Sequence, residues 1–208
     1  MYLPKLFAES RPEELHHLIR QHPFGMLLTH TSSGLEANHL PFLLDDGRGA
    51  CGTLLAHVAR ANSIWTDVGD GDEVLVVFRG AHGYISPNWY VSKPETHRHV
   101  PTWNYEVVHA HGRIHVRDDE KFVRGVVARL TREHEADKPH PWKMGDAPAD
   151  YLSEELKQIV GFEVELTRVE GKRKLSQNRD ARDFESTVRA LEERGNQDLA
   201  TAMKRAVS

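Results

Sequence analysis

Apolar and polar residues alternate along three consecutive segments in the first third of the chain, as they do in half-buried β-strands. The segments are Phe24–Thr31, residues 35–44 and residues 50–58. Short turns that contain glycine separate them. Strands joined in this way form an antiparallel meander. Pro41 cannot donate a hydrogen bond to a neighbouring strand, so it predicts a sheet edge or a bulge.

Elsewhere the apolar residues follow the helical spacing of three and four residues. The predicted helices cover residues 10–22, a short stretch within 59–68, residues 118–133, a short helix that begins at Ser153, and residues 181–194 and 196–206. Further strands are predicted at residues 73–78, 105–116 and 159–169. Polar residues and prolines without a period predict a mobile loop at residues 93–99 and an irregular excursion at residues 136–150.

Many strands with turns between them, interrupted by helices, predict a mainly β fold of the α+β class. We expect a β-barrel with helical insertions and a C-terminal helical pair. At 208 residues the chain is long enough to bury a substantial core. We predict a single domain over residues 1–208, with a basic loop and two helices from about residue 170 packed on the barrel.

Composition narrows the classes of function. The formal net charge of −4 does not favour a broadly basic surface for nucleic acid. The single cysteine, Cys51, forbids an intrachain disulfide and indicates either a reducing compartment or a fold that is indifferent to redox conditions. Neither a signal peptide nor a stretch long and apolar enough to span a bilayer is evident. We therefore expect a cytoplasmic protein without membrane contact.

Aromatic residues with polar tips are concentrated in residues 80–90 and 100–105. Tryptophan and tyrosine present a flat apolar face and a polar edge, which suits a planar, heteroatom-rich ligand such as a flavin. These segments look too irregular for plain core. The alternative is an aromatic cluster that closes one end of a barrel.

A second candidate is the turn in residues 55–62, where a strand leads into a helix. Free backbone N–H groups and the helix dipole favour an anion there. Arg60 offers a forked, permanently charged donor set for phosphate, and His57 and Asn62 offer further hydrogen bonds. An ordinary turn with a surface arginine is the alternative.

Residues 172–179 form the one compact basic run. Such a run either clamps a phosphate or polar ring edge, or lies as a solvated loop before the next helix.

The histidine pairs His97/His99 and His109/His111 have the spacing of one strand face. No cysteine pair or other closed ligand motif accompanies them, so we predict no metal site. No phosphate-binding P-loop, dinucleotide fingerprint or nucleophile elbow is present either.

Taken together, five motifs resemble the PaiB family of FMN-binding negative transcriptional regulators, within the split β-barrel flavin-binding superfamily. They are residues 39–42 (HLPF), 56–62 (AHVARAN), 84–90 (YISPNWY), 100–105 (VPTWNY) and 174–179 (KLSQNR). The opening residues MYLP also look like the start of that family. One departure is Ser63, where the family commonly has a proline, which would stiffen the start of the helix.

The resemblance implies an FMN-binding split β-barrel that forms a homodimer, with FMN in a groove between subunits. It also implies which residues hold the cofactor: His39 in the first motif; His57, Arg60 and Asn62 at the phosphate; Trp103, Asn104 and Tyr105 beside the flavin, from the same or the partner subunit; and Lys174, Ser176 and Gln177 near the cofactor.

The resemblance implies a regulator of transcription, but direct DNA contact has little support in the residues. The C-terminal helical pair carries Lys204 and Arg205 at its end and shows no clear recognition face. Packing of these helices on the barrel or across the dimer is favoured, and regulation through a metabolite or protein partner stays open.

Two other functions use the same fold. An FMN-dependent oxidoreductase or flavin reductase would take its chemistry from the cofactor, with His39, His57 or His82 as candidate proton donors. A haem protein would use one of the 14 histidines as an axial ligand.

Overall fold

The structure, a computed structural model, describes residues 1–207. The strands are β1 (Ala8–Glu9), β2 (Phe24–Thr31), β3 (Gly34–Pro41), β4 (Leu43–Asp45), β5 (Thr53–Ala59), β6 (Glu73–Ile85), β7 (Thr102–Arg117) and β8 (Ile159–Lys174). The helices are α1 (Pro12–Gln21), α2 (Ile64–Asp67), α3 (Lys93–Thr96), α4 (Glu120–Glu135), α5 (Ala149–Lys157), α6 (Ala181–Glu193) and α7 (Gln197–Arg205). Among these residues, no helix is both long enough and apolar enough to cross a membrane.

The strands form one sheet in the order β3-β2-β6-β7-β8-β5-β4, and β1 pairs with β8. The predicted antiparallel pairing of the first strands is confirmed, with Phe24 opposite Pro41 and Thr31 opposite Gly34. Pro41 ends β3, which lies at one end of this order, so the edge position predicted from its missing N–H is also confirmed.

The chain divides into two compact units. The first unit contains residues 1–18, 79–108 and those from 170 onward, and the second contains residues 19–78 and 109–169. In the first unit, α6 and α7 bury Leu191, Leu199 and Met203 against Ile85 and Leu175. In the second, α4 packs Val126 and Leu130 against Leu43 and Leu55. The single domain over residues 1–208 stays a prediction.

The segment 80–85, expected to be irregular, is the second half of β6. Along β6 the buried positions change from even to odd numbers between Gly80 and Gly83. This change of phase leaves Tyr84 exposed and interrupts the alternation by which a strand is recognised in a sequence. A Cβ atom on Gly83 would lie 2.9 Å from Leu199 Cδ2, so α7 can approach this strand only at a glycine.

Three other boundaries differ from the prediction. The first part of the basic run belongs to β8 and not to a loop, and both Lys172 and Arg173 are buried there. The predicted mobile loop contains the helical turn α3, which ends at His97 in the left-handed conformation with φ of 51°. The short helix predicted within residues 59–68 is only the four-residue α2.

Candidate functional site

Arg60 lies in the second unit, just after β5, and its guanidinium forms hydrogen bonds to neighbours in the chain through all three of its nitrogens. It donates to Asp118 through both terminal nitrogens, at 2.9 and 2.5 Å, and through Nε to the Lys157 carbonyl at 2.6 Å. The hydrogen bond from Arg60 lowers the pKa of Asp118, which keeps this carboxylate ionised. The carboxylate of Asp118 therefore neutralises the positive charge of Arg60, which the sequence analysis assigns to a phosphate.

The other predicted residues of this unit do not surround Arg60 as one cluster of free donors. Asn62 donates to the Asn38 side chain at 2.8 Å and accepts the Ile64 N–H at 3.0 Å, so both ends of its amide are used. His57 is half-buried, and burial lowers its pKa, so its ring is neutral near neutral pH. His39 is exposed on β3. Contact of these residues with the cofactor stays a prediction.

In the first unit, strand alternation places Trp103 and Tyr105 on one face of β7. The Trp103 indole meets the Tyr84 ring of β6 edge-on, with 6.2 Å between ring centroids. The Lys172 ammonium lies 5.5 Å from the centre of the Tyr105 ring. We call Tyr84, Trp103, Tyr105, Lys172 and Lys174 the aromatic–cationic face.

Lys174 is the part of this face best suited to a negative charge. Its ammonium donates to Thr102 Oγ1 at 2.5 Å and to the Trp103 carbonyl at 2.6 Å, which are both neutral acceptors. Among residues 1–207, it forms no ion pair with a carboxylate. Burial lowers its pKa first, and the charges of Lys172 and Arg179 lower it further. An anion bound beside Lys174 would offset the repulsion from these two charges and favour the charged ammonium.

Three other predicted residues, one on β7 and two in the turn after β8, form hydrogen bonds within the protein. Asn104 is fully buried and donates to Ser176 Oγ at 2.9 Å. Gln177 accepts the Leu175 N–H and donates to the Arg173 carbonyl. The geometry gives Asn104, Ser176 and Gln177 positioning contacts within the chain, and their contact with FMN stays a prediction.

The sequence analysis includes Lys172 and Arg179 in the basic run but assigns neither of them individually to the cofactor. Arg179 lies over the ring of Tyr90, 4.6 Å from its centre. The signal available in the sequence was the alternation itself, which puts Lys172 and Lys174 on the same face once β8 is extended.

The two histidine pairs lie in different kinds of structure: His109 and His111 are on β7, whereas His97 is not on a strand. His97 ends α3 and lies outside any strand, so the strand spacing expected for His97 and His99 is wrong. Because Ser92 Oγ–H donates to Asp183 at 2.6 Å, the 2.8 Å contact with His99 is an N–H donated by the imidazole. Within residues 1–207 no group of three or more His, Cys, Asp or Glu side chains could hold a metal.

Comparisons with known proteins identify the family and the fold of this chain. Residues 1–168 match the family model described as "Putative FMN-binding domain". Protease synthase and sporulation protein PAI 2 of Bacillus subtilis is 32% identical, over 94% of this chain and 91% of that protein. A protein of Emericella nidulans is 33% identical, over 94% of this chain and 92% of its own length.

Two solved structures share the fold. The flavocytochrome Anf3 from Azotobacter vinelandii has a TM-score of 0.60 and 11% identity, over 86% of this chain and 75% of that chain. The FAD and heme binding protein from Mycobacterium smegmatis also has a TM-score of 0.60, with 15% identity, over 86% of this chain and 78% of that chain.

The fold and the match to an FMN-binding domain define a flavin-binding split β-barrel protein of the α+β class, as the sequence predicts. The chain belongs to the PaiB family of FMN-binding proteins, and its cofactor is FMN. The residues fit this cofactor, because exposed aromatic rings suit its planar ring system and an uncompensated ammonium suits its anionic phosphate.

Proposed function

We propose that FMN binds on the aromatic–cationic face, with its ring against Trp103 and a negatively charged or carbonyl oxygen beside Lys174. One observation carries this proposal: Lys174 has only neutral acceptors, and one of them is the backbone carbonyl of Trp103, a residue that is 54% exposed. An ammonium without a carboxylate partner loses little when an anion approaches, whereas a paired cation must first give up its partner.

We further propose that the protein is a cytoplasmic homodimer of PaiB type that regulates transcription. Exposed apolar side chains of the first unit support a second copy as the partner, since Tyr84 is 47% exposed and Val100 is 69% exposed. A partner subunit over these side chains would remove apolar surface from water and shield the flavin. The sporulation and protease synthesis in the name of the Bacillus subtilis relative also support a regulatory role.

The C-terminal helices α6 and α7, which would have to contact DNA, have basic side chains and one apolar face engaged within the protein. Lys204 pairs with Glu192 at 2.6 Å, and Arg205 pairs with Glu14 at 3.1 Å. One face of α7 is buried in the core of the first unit. We therefore propose that regulation acts through the flavin state, a metabolite or a protein partner, and not through α7 in a DNA groove.

A second candidate function is an FMN-dependent oxidoreductase. When bound, FMN supplies hydride and electron transfer. The observation that favours this function is Lys174, because a positive charge near the ring system stabilises negative charge on the reduced cofactor.

The test is an FMN titration of the purified, FMN-free protein. We expect Lys174→Met and Trp103→Ala each to weaken FMN binding at least about tenfold, which is roughly 1.4 kcal/mol. Lys204→Met, a lysine of the same unit that is already paired with Glu192, is the matched control and should keep the wild-type affinity.

A folded Lys174→Met protein with wild-type affinity would overturn the proposed position of the cofactor.

Gel filtration of the FMN-loaded protein tests whether it is a homodimer. NAD(P)H oxidation with turnover would favour the oxidoreductase, and salt-resistant retention of a specific DNA would contradict the indirect regulator.

A further inference from the structure

A cleft of about 350 Å³ lies along α4 in the second unit. Its walls come from Pro41 at the end of β3, His57 on β5, the α4 residues Thr131, His134 and Glu135, and Trp142 from the excursion after α4. We call it the α4 cleft. Every one of these residues belongs to the second unit, whereas the aromatic–cationic face belongs to the first.

Trp142 forms one wall of the α4 cleft and is held in place by its backbone. Its N–H donates to the Glu135 carboxylate at 3.0 Å, which ties the excursion to the last turn of α4. The side chain itself stays 44% exposed. Trp142 also lines a second cleft of about 420 Å³, together with Ala128, Ala136 and Met144. Trp142 is therefore a partly exposed aromatic residue that borders two clefts.

His57 supplies the polar group of the α4 cleft. Its Nδ1 is buried and has no hydrogen-bond partner within residues 1–207. A buried polar atom without a partner is costly and is rare in native proteins. Because Nδ1 is buried, a ligand in the cleft cannot reach it directly. Nε2 also forms no hydrogen bond within residues 1–207 and is not buried in this way, so it is the ring nitrogen that the polar edge of a ligand can reach.

Size and charge restrict the ligand further. A volume of about 350 Å³ is near the lower end of the range for small-molecule sites, which corresponds to a molecule of one or two rings. The described lining residues include the carboxylate of Glu135 but neither a lysine nor an arginine. An anionic ligand is therefore disfavoured in the α4 cleft, in contrast to the aromatic–cationic face.

We propose that the α4 cleft binds an uncharged or cationic planar heteroaromatic molecule of one or two rings. The ring lies against Trp142, and its polar edge exchanges a hydrogen bond with His57. The α4 cleft is thus a binding site for a ligand that differs chemically from FMN and acts as a substrate or as an effector.

The test uses benzimidazole as the probe, because this two-ring molecule carries one N–H donor and one nitrogen acceptor. Isothermal titration of the FMN-free protein should show saturable binding to one site per chain. We expect Trp142→Ala to weaken this binding at least about tenfold. His57→Phe keeps a ring but loses both nitrogens, and we expect it to weaken binding at least about threefold. Thr131→Phe, which fills the cleft, should abolish binding.

The control is Trp103→Ala, which removes an indole of the aromatic–cationic face and should bind benzimidazole like the wild type. Circular dichroism and urea unfolding establish that each variant is folded. Absence of saturable binding to the wild type, or equal binding to folded Trp142→Ala, would overturn the proposal. Competition between benzimidazole and FMN would also overturn it, since the probe would then report the cofactor site. If folded Lys174→Met bound FMN like the wild type while FMN did not compete with benzimidazole, the proposed FMN position would fail and the α4 cleft would stand.

Discussion

The turn that carries Arg60 and the face that carries Lys174 both present a basic side chain in a family motif, but only one presents an available charge. Arg60 is held by Asp118 and by two backbone carbonyls, Lys157 and Ile159. Lys174 is held by a hydroxyl and a carbonyl, without a carboxylate. A basic residue in a motif is therefore evidence for anion binding only after its partners in the fold are known.

Adjacent residues of β8 repeat this contrast on a smaller scale. Arg173 points to the opposite side of the strand from Lys174 and is buried. Its Nε donates to Glu106 at 2.8 Å, and a terminal nitrogen lies 3.6 Å from both Glu9 and Glu14. Alternation along one strand thus separates a charge that stabilises the fold from a charge that is open to a ligand.

The largest effect we predict is on stability, from Arg173→Met. The variant keeps most of the apolar stem but leaves the buried Glu106 carboxylate without its cationic donor. Removal of one partner of a buried ion pair costs about 3–5 kcal/mol, so we expect a loss of that size in urea unfolding of the FMN-free protein.

The double variant Arg173→Met with Glu106→Leu serves as the control, because it removes both charges and should recover most of the loss. Lys174→Met should change the free energy of unfolding much less than Arg173→Met. If Arg173→Met cost less than about 1 kcal/mol, the contrast between the two neighbouring residues would disappear.

The second prediction compares the two anion candidates directly. We expect Arg60→Ala to weaken FMN binding by about threefold at most, less than Lys174→Met, because Asp118 already neutralises the guanidinium. An FMN titration measures both variants. A tenfold loss of affinity with Arg60→Ala would indicate that the FMN phosphate binds at the turn that carries Arg60, as the family motif predicts. In that case Asp118→Asn, which frees the guanidinium, should tighten FMN binding.

Much of the fold could be predicted because local periodicity specifies it. The meander of β2 and β3 and the helices α4, α6 and α7 follow regular patterns of apolar residues, and their observed bounds lie close to the predicted ones. The second half of β6 could not be found in this way, because the phase of burial changes at Ala81 and His82. The end of β8 was hidden for another reason: its buried side chains are Lys172 and Arg173, which a hydropathy pattern assigns to solvent.

The candidate site was predictable in its residue types but not in its pairing. The motifs and the family resemblance single out Trp103, Tyr105 and Lys174, which share one face of the first unit. Which cations are neutralised depends on partners distant in sequence, such as Asp118 for Arg60 across 58 positions. Trp142 and His57 of the α4 cleft are likewise far apart in the chain, and no local pattern connects them.

The smallest predicted effect concerns His57 and the pH dependence of stability. Burial lowers the pKa of His57 in the folded protein below the value of about 6.5 expected for an unfolded chain. The unfolded state therefore takes up the proton first when the pH falls through about 6.5, and the free energy of unfolding decreases as the pH falls.

In His57→Phe this contribution to the pH dependence is absent. We expect the free energy of unfolding to fall less between about pH 7.5 and pH 5.5 in His57→Phe than in the wild type. His134 and Glu135 line the same cleft in both proteins, so the difference between the two slopes isolates His57. Equal slopes would mean that the ring of His57 is solvated in the folded state, and the contrast between a neutral His57 and a charged Lys174 would then rest on Lys174 alone.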